Sequence, residues 1–148
     1  MSDATYAVNV EAAIFRDGEY LLIERAASES HAAGLLSLVG GTVEETDHET
    51  GALEATARRE IREEVGVAVT DLCYVQSNAF VTDEGTPCLN VVFLARHDDG
   101  DGTIEAPDEV ADVHWLTPGA VETNQDTPEW TAAFVALAEQ RRQSLDWT

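Results

Sequence analysis

The sequence predicts a mixed α/β fold, a mixed β-sheet flanked by helices, and three observations lead to this prediction. Strand-type segments are followed by one stretch of helical periodicity, then by further strand-type segments and a second helical stretch. A strong two-residue turn signal joins the first two strand-type segments. No internal repeat, low-complexity tract or linker divides the 148 residues, a length typical of one domain. We therefore expect residues 1–148 to form a single domain.

Six segments have the apolar patterns of β-strands. They cover residues 6–15, 19–25, 35–39, 67–80, 88–96 and 110–116. Asp17-Gly18 lies between the first two and predicts a hairpin. The third ends at Gly40-Gly41, where a loop is expected. The segment 88–96 is almost continuously apolar, so we expect it to be buried on both faces, and the acidic residues 98–102 are predicted to form a loop.

Two stretches have the periodicity of amphipathic helices. In the first, residues 51–65, apolar side chains recur every four residues and form one stripe: Leu53, Ala57, Ile61 and Val65. Gly66 follows and is predicted to end this helix in the left-handed conformation. In the second, residues 129–142, the predicted buried side consists of Trp130, Phe134, Leu137 and Ala138.

The charge of the chain excludes one class of partner. The sequence has 29 acidic residues against 8 basic ones, all of them arginine, and its formal net charge is -21. A protein that binds nucleic acid polymers over a broad surface needs clustered Lys and Arg, so that function is excluded. A folded domain with so many carboxylates and no lysine indicates a halophilic source. Because no leader or membrane-spanning segment is recognisable, we expect a cytoplasmic protein.

The most informative segment, residues 59–67, reads Arg-Glu-Ile-Arg-Glu-Glu-Val-Gly-Val. On a helix, positions three and four apart share a face, so Glu60, Glu63 and Glu64 are expected to converge while Ile61 and Val65 point inward. Converging carboxylates repel one another, and a hard divalent cation such as Mg²⁺ or Mn²⁺ removes that penalty. The alternative is a solvated acidic helix face, which a chain this acidic has in several places.

Segment 59–67, together with the preceding Gly-Gly-Thr-Val-Glu at 40–44, resembles the sequence box of the Nudix hydrolase family. The resemblance implies an α/β/α sandwich. It also implies that Glu60, Glu63 and Glu64 hold Mg²⁺ or Mn²⁺, that the Gly41 carbonyl completes the coordination, and that Arg59 orients the glutamates. The implied activity is cleavage of the pyrophosphate linkage of a nucleoside diphosphate linked to another moiety, by water attacking phosphorus.

Two departures from the family pattern are visible. Arg59 lies farther from Gly41 than the family spacing predicts, so the intervening loop is about four residues longer, and we place the insertion within residues 45–51. Glu49 is the nearest candidate for the glutamate that the family has in this loop. The residue before the glycine pair is Val39, where the family commonly has proline, and this change removes no functional group.

The carboxylate that deprotonates the water is not fixed by the box. Glu63 or Glu60 is our first choice, but related enzymes also recruit a base from outside the box. The acidic residues in candidate loops are Asp83, Glu84, Asp108 and Glu109. For each of these, a solvated loop position is the simpler interpretation because acidic residues fill loops throughout this chain.

Basic and imidazole side chains provide candidates for substrate binding. Arg25, at the end of the second predicted strand, resembles a phosphate-contacting arginine of several family members, and a guanidinium can bind phosphate bidentately. His31, in the following loop, is a weaker candidate for a nucleotide contact.

Two function classes other than the hydrolase stay open at this stage. One is a nucleotide sensor on the same fold that has lost turnover; the other is a structural acidic domain. The substrate is expected to be a nucleotide-type small molecule: a nucleoside triphosphate, ADP-ribose, a dinucleotide polyphosphate and a nucleotide sugar are all compatible with the box. A homodimer is compatible with the sequence but no feature of the sequence requires it.

Overall fold

The computed structural model describes residues 5–29, 32–44 and 50–148. Seven strands lie in these ranges: β1 (Ala7–Arg16), β2 (Glu19–Arg25), β3 (Leu36–Ser37), β4 (Val39–Thr42), β5 (Ala68–Val81), β6 (Pro87–Asp99) and β7 (Val110–Leu116). The helices are α1 (Ala52–Val65), α2 (Pro118–Thr123) and α3 (Glu129–Ser144). No helix within the described ranges has the length and apolar character needed to span a membrane.

The strands form one mixed sheet, which confirms the predicted fold class. Its order is β3-β2-β1-β6-β5, with β4 also paired to β1 and β7 also paired to β2. β1 and β6 run parallel, whereas all other pairs are antiparallel. The predicted hairpin of β1 and β2 turns at Asp17 and Gly18, both of which have positive φ, as a tight primed turn requires.

The two faces of the sheet are covered by different helices. Alternation along β1 places Ile14 in one apolar cluster with Ile61 of α1 and Phe15 in another with Phe134 of α3. The predicted α1 stripe is confirmed because Ala57, Ile61 and Val65 are buried and Leu53 packs partly against them. Gly66 ends α1 with φ of 67°, and its N–H donates to the carbonyl of Arg62.

Three predictions about the elements were wrong in part. The predicted third strand, 35–39, is two short strands, β3 paired with β2 and β4 paired with β1, and β4 includes Gly40 and Gly41 instead of ending before them. The predicted loop 98–102 begins later because β6 extends to Asp99. Trp130 is 49% exposed rather than buried. The inner position of that first turn belongs to Thr131, whose hydroxyl donates to the carbonyl of Leu36 (3.1 Å).

Helix α2 was not predicted, although the sequence carries a signal for it. Thr117 accepts a hydrogen bond from the N–H of Ala120 (3.2 Å), and Pro118 occupies the first turn. A Thr-Pro pair is a typical helix start. The six residues of α2 are too few for apolar periodicity to be visible.

β6 offers a matched test of where the core lies. Leu94 is fully buried between the sheet and α3, whereas Leu89 on the same strand is 37% exposed. We expect Leu94→Ala to lower the free energy of unfolding by about 2–5 kcal/mol, and Leu89→Ala by less than about 1 kcal/mol. Urea denaturation followed by circular dichroism measures both. Equal losses for the two variants would contradict the packing described here.

Candidate active site

Two glycines of β4 let helix α1 approach the sheet closely. Any side chain at Gly41 would overlap the carboxylate of Glu60, and any side chain at Gly40 would overlap the backbone of Val10 and Glu11 on β1. Residue 40 therefore has to be glycine for β4 to lie this close to β1, whereas a side chain at 41 would displace the carboxylate of Glu60. The glycine pair does not make a loop here; it brings the backbone of β4 against the acidic face of α1.

The three glutamates of α1 do not all take the same position. Glu60 and Glu64 are buried, whereas the side chain of Glu63 is 56% exposed. Residues 60 and 64 lie four apart and so project on one line, while 63 and 64 are neighbours and diverge by about 100° around the helix. The structure therefore brings Glu60 and Glu64 to the cavity beside β4 and leaves Glu63 at its margin.

Arg59 connects this acidic group to β4. Its guanidinium donates to Glu60 (2.8 Å), to Glu63 (3.3 Å) and to the carbonyl of Thr42 (3.4 Å), and it lies 4.0 Å from Glu44. The predicted contact of Arg59 with the glutamates is thus present. Because one guanidinium holds two carboxylates and a strand carbonyl, Arg59 fixes the position of α1 against β4.

Glu64 is in the most unfavourable environment of the site. Burial, followed by the negative charges of Glu60 and Glu109, raises the pKa of Glu64 to about 9, although the N–H of Gly40 donates to its carboxylate. One carboxylate oxygen, Oε2, is buried without a hydrogen-bond partner. Burial also raises the pKa of Glu60, against the opposing effect of Arg59. Two adjacent carboxylates are therefore held where each disfavours the charge of the other.

Glu109 joins this pair from a different part of the chain. Its backbone carbonyl accepts from the N–H of Ala26 (2.9 Å), which ties the segment before β7 to the end of β2. Its side chain then lies against Glu64. Of the four loop candidates, Glu109 alone lines the cavity, although all four residues are exposed, and Asp83 and Glu84 lie near the turn between β5 and β6. Glu109 therefore borders the cavity from a solvent-accessible position.

Arg25 lies across the cavity from α1. Its guanidinium forms an ion pair with Glu29 (3.0 Å), and its backbone is bonded to Leu35 and Gly34, which fixes the end of β2. The cavity has a volume of about 350 Å³ and is lined by Asn9, Ile23, Arg25, Glu29, Gly40, Gly41, Thr42, Glu44, Glu60, Glu64 and Glu109. Predicted residues Arg25, Gly41, Glu60 and Glu64 thus lie together. His31, Glu49 and residues 45–49 of the insertion predicted within 45–51 lie outside the described residues.

The donor set suits a hard divalent cation. The site offers several oxygen donors: a buried carboxylate oxygen without a hydrogen-bond partner, two carboxylates with raised pKa values, and the backbone of a glycine beside them. These donors lack a positive charge at their centre. Among the described residues, no three His, Cys, Asp or Glu side chains are grouped so that they could hold a metal ion as they stand.

The mixed sheet between helices and the acidic cavity beside β4, the strand that carries two glycines, together define a family of proteins. Residues 5–138 match the model of the NUDIX domain. This chain belongs to the Nudix family.

Two kinds of relative are similar to this chain. The NAD-capped RNA hydrolase NudC of Escherichia coli is 32% identical over 103 residues, which cover 70% of this chain and 36% of the relative. The chain therefore spans about a third of the length of the curated relatives it matches.

Among solved structures, a MutT NUDIX hydrolase from Burkholderia pseudomallei has a TM-score of 0.74 and 27% identity, covering 90% of this chain and 98% of that one. The NUDIX domain of Shewanella oneidensis NrtR, complexed with ADP ribose, has a TM-score of 0.73 and 24% identity, covering 95% and 89%.

The raised pKa of Glu64 makes a prediction about stability without divalent metal. Between its ordinary pKa of 4.5 and about 9, folded Glu64 keeps a proton that the unfolded chain releases. The stability of the wild type should therefore fall relative to Glu64→Gln as pH rises through this window, by up to about 1.4 kcal/mol per pH unit. Urea denaturation in EDTA at pH 5 to 9 measures the difference.

The matched control for this measurement is Glu54→Gln, an exposed glutamate in the first turn of the same helix. We expect the difference between this variant and the wild type to change little with pH. If the Glu64→Gln and wild-type stability curves instead run parallel from pH 5 to 9, the environment described for Glu64 is wrong.

Proposed function

We propose that residues 1–148 form one Nudix domain that hydrolyses the pyrophosphate linkage of a nucleoside diphosphate linked to another moiety. One observation carries the proposal: Glu60, Glu64 and Glu109 meet in one cavity that also presents an arginine, Arg25, from the facing strand. Carboxylates that hold a cation, placed opposite a phosphate-binding guanidinium, are what in-line attack on phosphorus requires.

Each residue then has a separate task. Glu60 and Glu64, with Glu63 and the Gly41 carbonyl, would hold the cation, which we propose to be Mg²⁺ or Mn²⁺. When bound, this ion would neutralise phosphate oxygens and lower the pKa of a coordinated water. Arg59 positions the glutamates through its contacts with Glu60 and the Thr42 carbonyl. Arg25 would bind a phosphate of the substrate.

The carboxylate that accepts the proton of the water is proposed from three candidates. Glu60 and Glu63 were our first choices from the sequence, and Glu109 is the one of the four loop candidates that lines the cavity. Glu109 is carried by the segment before β7 rather than by α1, yet lies against Glu64 in the cavity. A carboxylate on a separate segment can move without disturbing the ligands on α1, and this favours Glu109 as the base.

A nucleotide sensor without turnover is the alternative and is not favoured. The cavity keeps buried carboxylates that repel one another, an arrangement that burdens folding and that binding alone does not require. The relatives support a nucleotide-type substrate, since the NrtR domain is described in complex with ADP ribose and NudC is a hydrolase of NAD-capped RNA.

Replacement of the α1 carboxylates tests the proposal. With Mg²⁺ or Mn²⁺ and a panel of nucleoside triphosphates, ADP-ribose and nucleotide sugars, we expect the wild type to release a nucleoside monophosphate. Glu60→Gln, Glu63→Gln and Glu64→Gln should each lower kcat by about 100-fold or more because the cation loses a ligand. Products are identified by mass spectrometry.

The matched control is Glu54→Gln, an exposed glutamate in the first turn of α1, which should keep wild-type kcat. For Glu109→Gln we expect a loss of kcat with unchanged metal affinity, as befits a base rather than a ligand. A folded wild type that binds Mn²⁺ and nucleotide but cleaves none of the panel would favour the sensor instead.

We further propose that the protein is cytoplasmic and comes from a halophilic source, on the grounds of its net charge of -21 and its lack of lysine. Mutual repulsion of surface carboxylates destabilises the folded state, and the Debye length falls from about 10 Å at 0.1 M salt to about 3 Å at 1 M. The homodimer stays a prediction.

Salt dependence tests the halophilic proposal. The melting temperature should rise as KCl increases from 0.1 M to 3 M, because screening weakens repulsion among the 29 acidic residues. Differential scanning calorimetry measures it, with equal osmolarity of sucrose as the control for water activity. An unchanged melting temperature across the KCl series would count against a halophilic origin.

A further inference from the structure

Four polar side chains form a chain of hydrogen bonds across three strands, and we call them the amide cluster: Asn9, Glu11, Asn78 and Asn90. Asn9 Nδ2 donates to Asn90 Oδ1 (2.7 Å), and Asn90 Nδ2 donates to Glu11 Oε2 (2.7 Å). A longer contact joins Asn90 Nδ2 to Asn78 Oδ1 (3.4 Å). Asn90 is 2% exposed, so the centre of the cluster is buried.

The amide cluster lies on the α3 face of the sheet, where the apolar core ends. Alternation along β1 puts Asn9 and Glu11 on the same face as Ala13 and Phe15. Ala13 and Phe15 pack in the apolar cluster with α3, which contains neither Glu11 nor Asn9. Polar side chains thus continue the sheet face beyond the part that α3 covers.

The hydrogen bonds fix which atoms of the cluster are turned outward. An ionised carboxylate only accepts, so the amide nitrogen of Asn90 must point to Glu11 and its oxygen to Asn9. The amide nitrogen of Asn9 must then point to Asn90, which turns its oxygen away. Two acceptor atoms, Glu11 Oε1 and Asn9 Oδ1, have no hydrogen-bond donor among the described residues.

These two acceptors adjoin the acidic cavity. Asn9 lines that cavity with Arg25 and Gly41, and Glu11 pairs directly with Gly40 in the β1–β4 ladder. Burial raises the pKa of Glu11, while the hydrogen bond from Asn90 and the positive charge of Arg25 act in the opposite direction. A desolvated carboxylate with a single donor is costly, and a ligand donor would offset part of that cost.

We propose that Glu11 and Asn9 accept hydrogen bonds from N–H or O–H groups of the nucleoside of the substrate, and so determine which nucleotide this chain binds. The inference rests on the proposed function, since it places the nucleoside beside the site of the phosphates. Donors of this kind are the ribose hydroxyls and the N1–H and 2-amino groups of a guanine-type base. A ligand that lacks the donor cannot form the hydrogen bond to these acceptors and therefore binds more weakly.

A purely structural role makes a different prediction. The cluster also connects β1 to β6 and β5, and a role limited to that connection would change stability alone. Selectivity among nucleotides that differ by one donor is therefore the readout that separates recognition from strand bonding.

Binding of four nucleoside monophosphates tests the proposal without any need for turnover. Isothermal titration calorimetry in Mn²⁺ gives Kd values of GMP, dGMP, IMP and AMP for the wild type. A nucleotide that lacks the donor bound by Glu11 or Asn9 should have a Kd about tenfold higher or more. A weaker dGMP identifies the ribose 2′-hydroxyl, a weaker IMP identifies the 2-amino group, and a weaker AMP with equal GMP and IMP identifies N1–H.

Glu11→Gln should reduce the difference in Kd between these nucleotides to less than about twofold. Asn78→Ala, the matched control on the far side of Asn90, should keep the wild-type difference. Melting temperatures verify folding, and should Glu11→Gln be destabilised, Asn9→Ala removes the other acceptor and is measured against the same panel. A wild type that binds all four equally or not at all, or a folded Glu11→Gln with wild-type selectivity, overturns the proposal. Because Kd is measured without hydrolysis, its failure is distinct from that of the proposed reaction.

Discussion

The close packing of α1 against β4, where Glu60 lies on Gly41, is the constraint on which the site depends. At this contact Arg59 reaches the carbonyl of Thr42 while it holds two glutamates. The same packing buries Glu60 and Glu64 beside a cavity lined mostly by polar and charged residues. The electrostatic stress of the site is therefore a consequence of backbone packing, not of composition alone.

The unfavourable burial of these negative charges is accompanied by positive charge close to them. Arg59 and Arg25 are two of only eight basic residues, and both lie at this cavity. In a chain of net charge -21, the polyanionic substrate that we propose would need a local positive field. That field would come from the two guanidinium groups and from the cation that we propose the carboxylates hold.

The sequence predicted what depends on local pattern and missed what depends on strand register. The α1 stripe, the β1–β2 hairpin and the convergence of Glu60 with Glu64 follow from periodicities of four and two, which act within one element. Glu109 reaches the cavity because β7 pairs with β2 and carries the preceding segment to Ala26, and no local pattern encodes that pairing. The exposure of Glu63 was readable in principle, since adjacent residues of a helix diverge. The amide cluster escaped notice because its members are about 80 positions apart.

The parallel pairing of β1 with β6 has a consequence for how the molecule is made. Asn9 and Asn90 are neighbours in space but 81 positions apart in the chain, and β4 and α1 lie between them in sequence. Closing so long a loop has a large entropic cost, and a high contact order goes with slow folding. During synthesis the first strand emerges well before its parallel partner, so the cavity assembles only after most of the chain has left the ribosome.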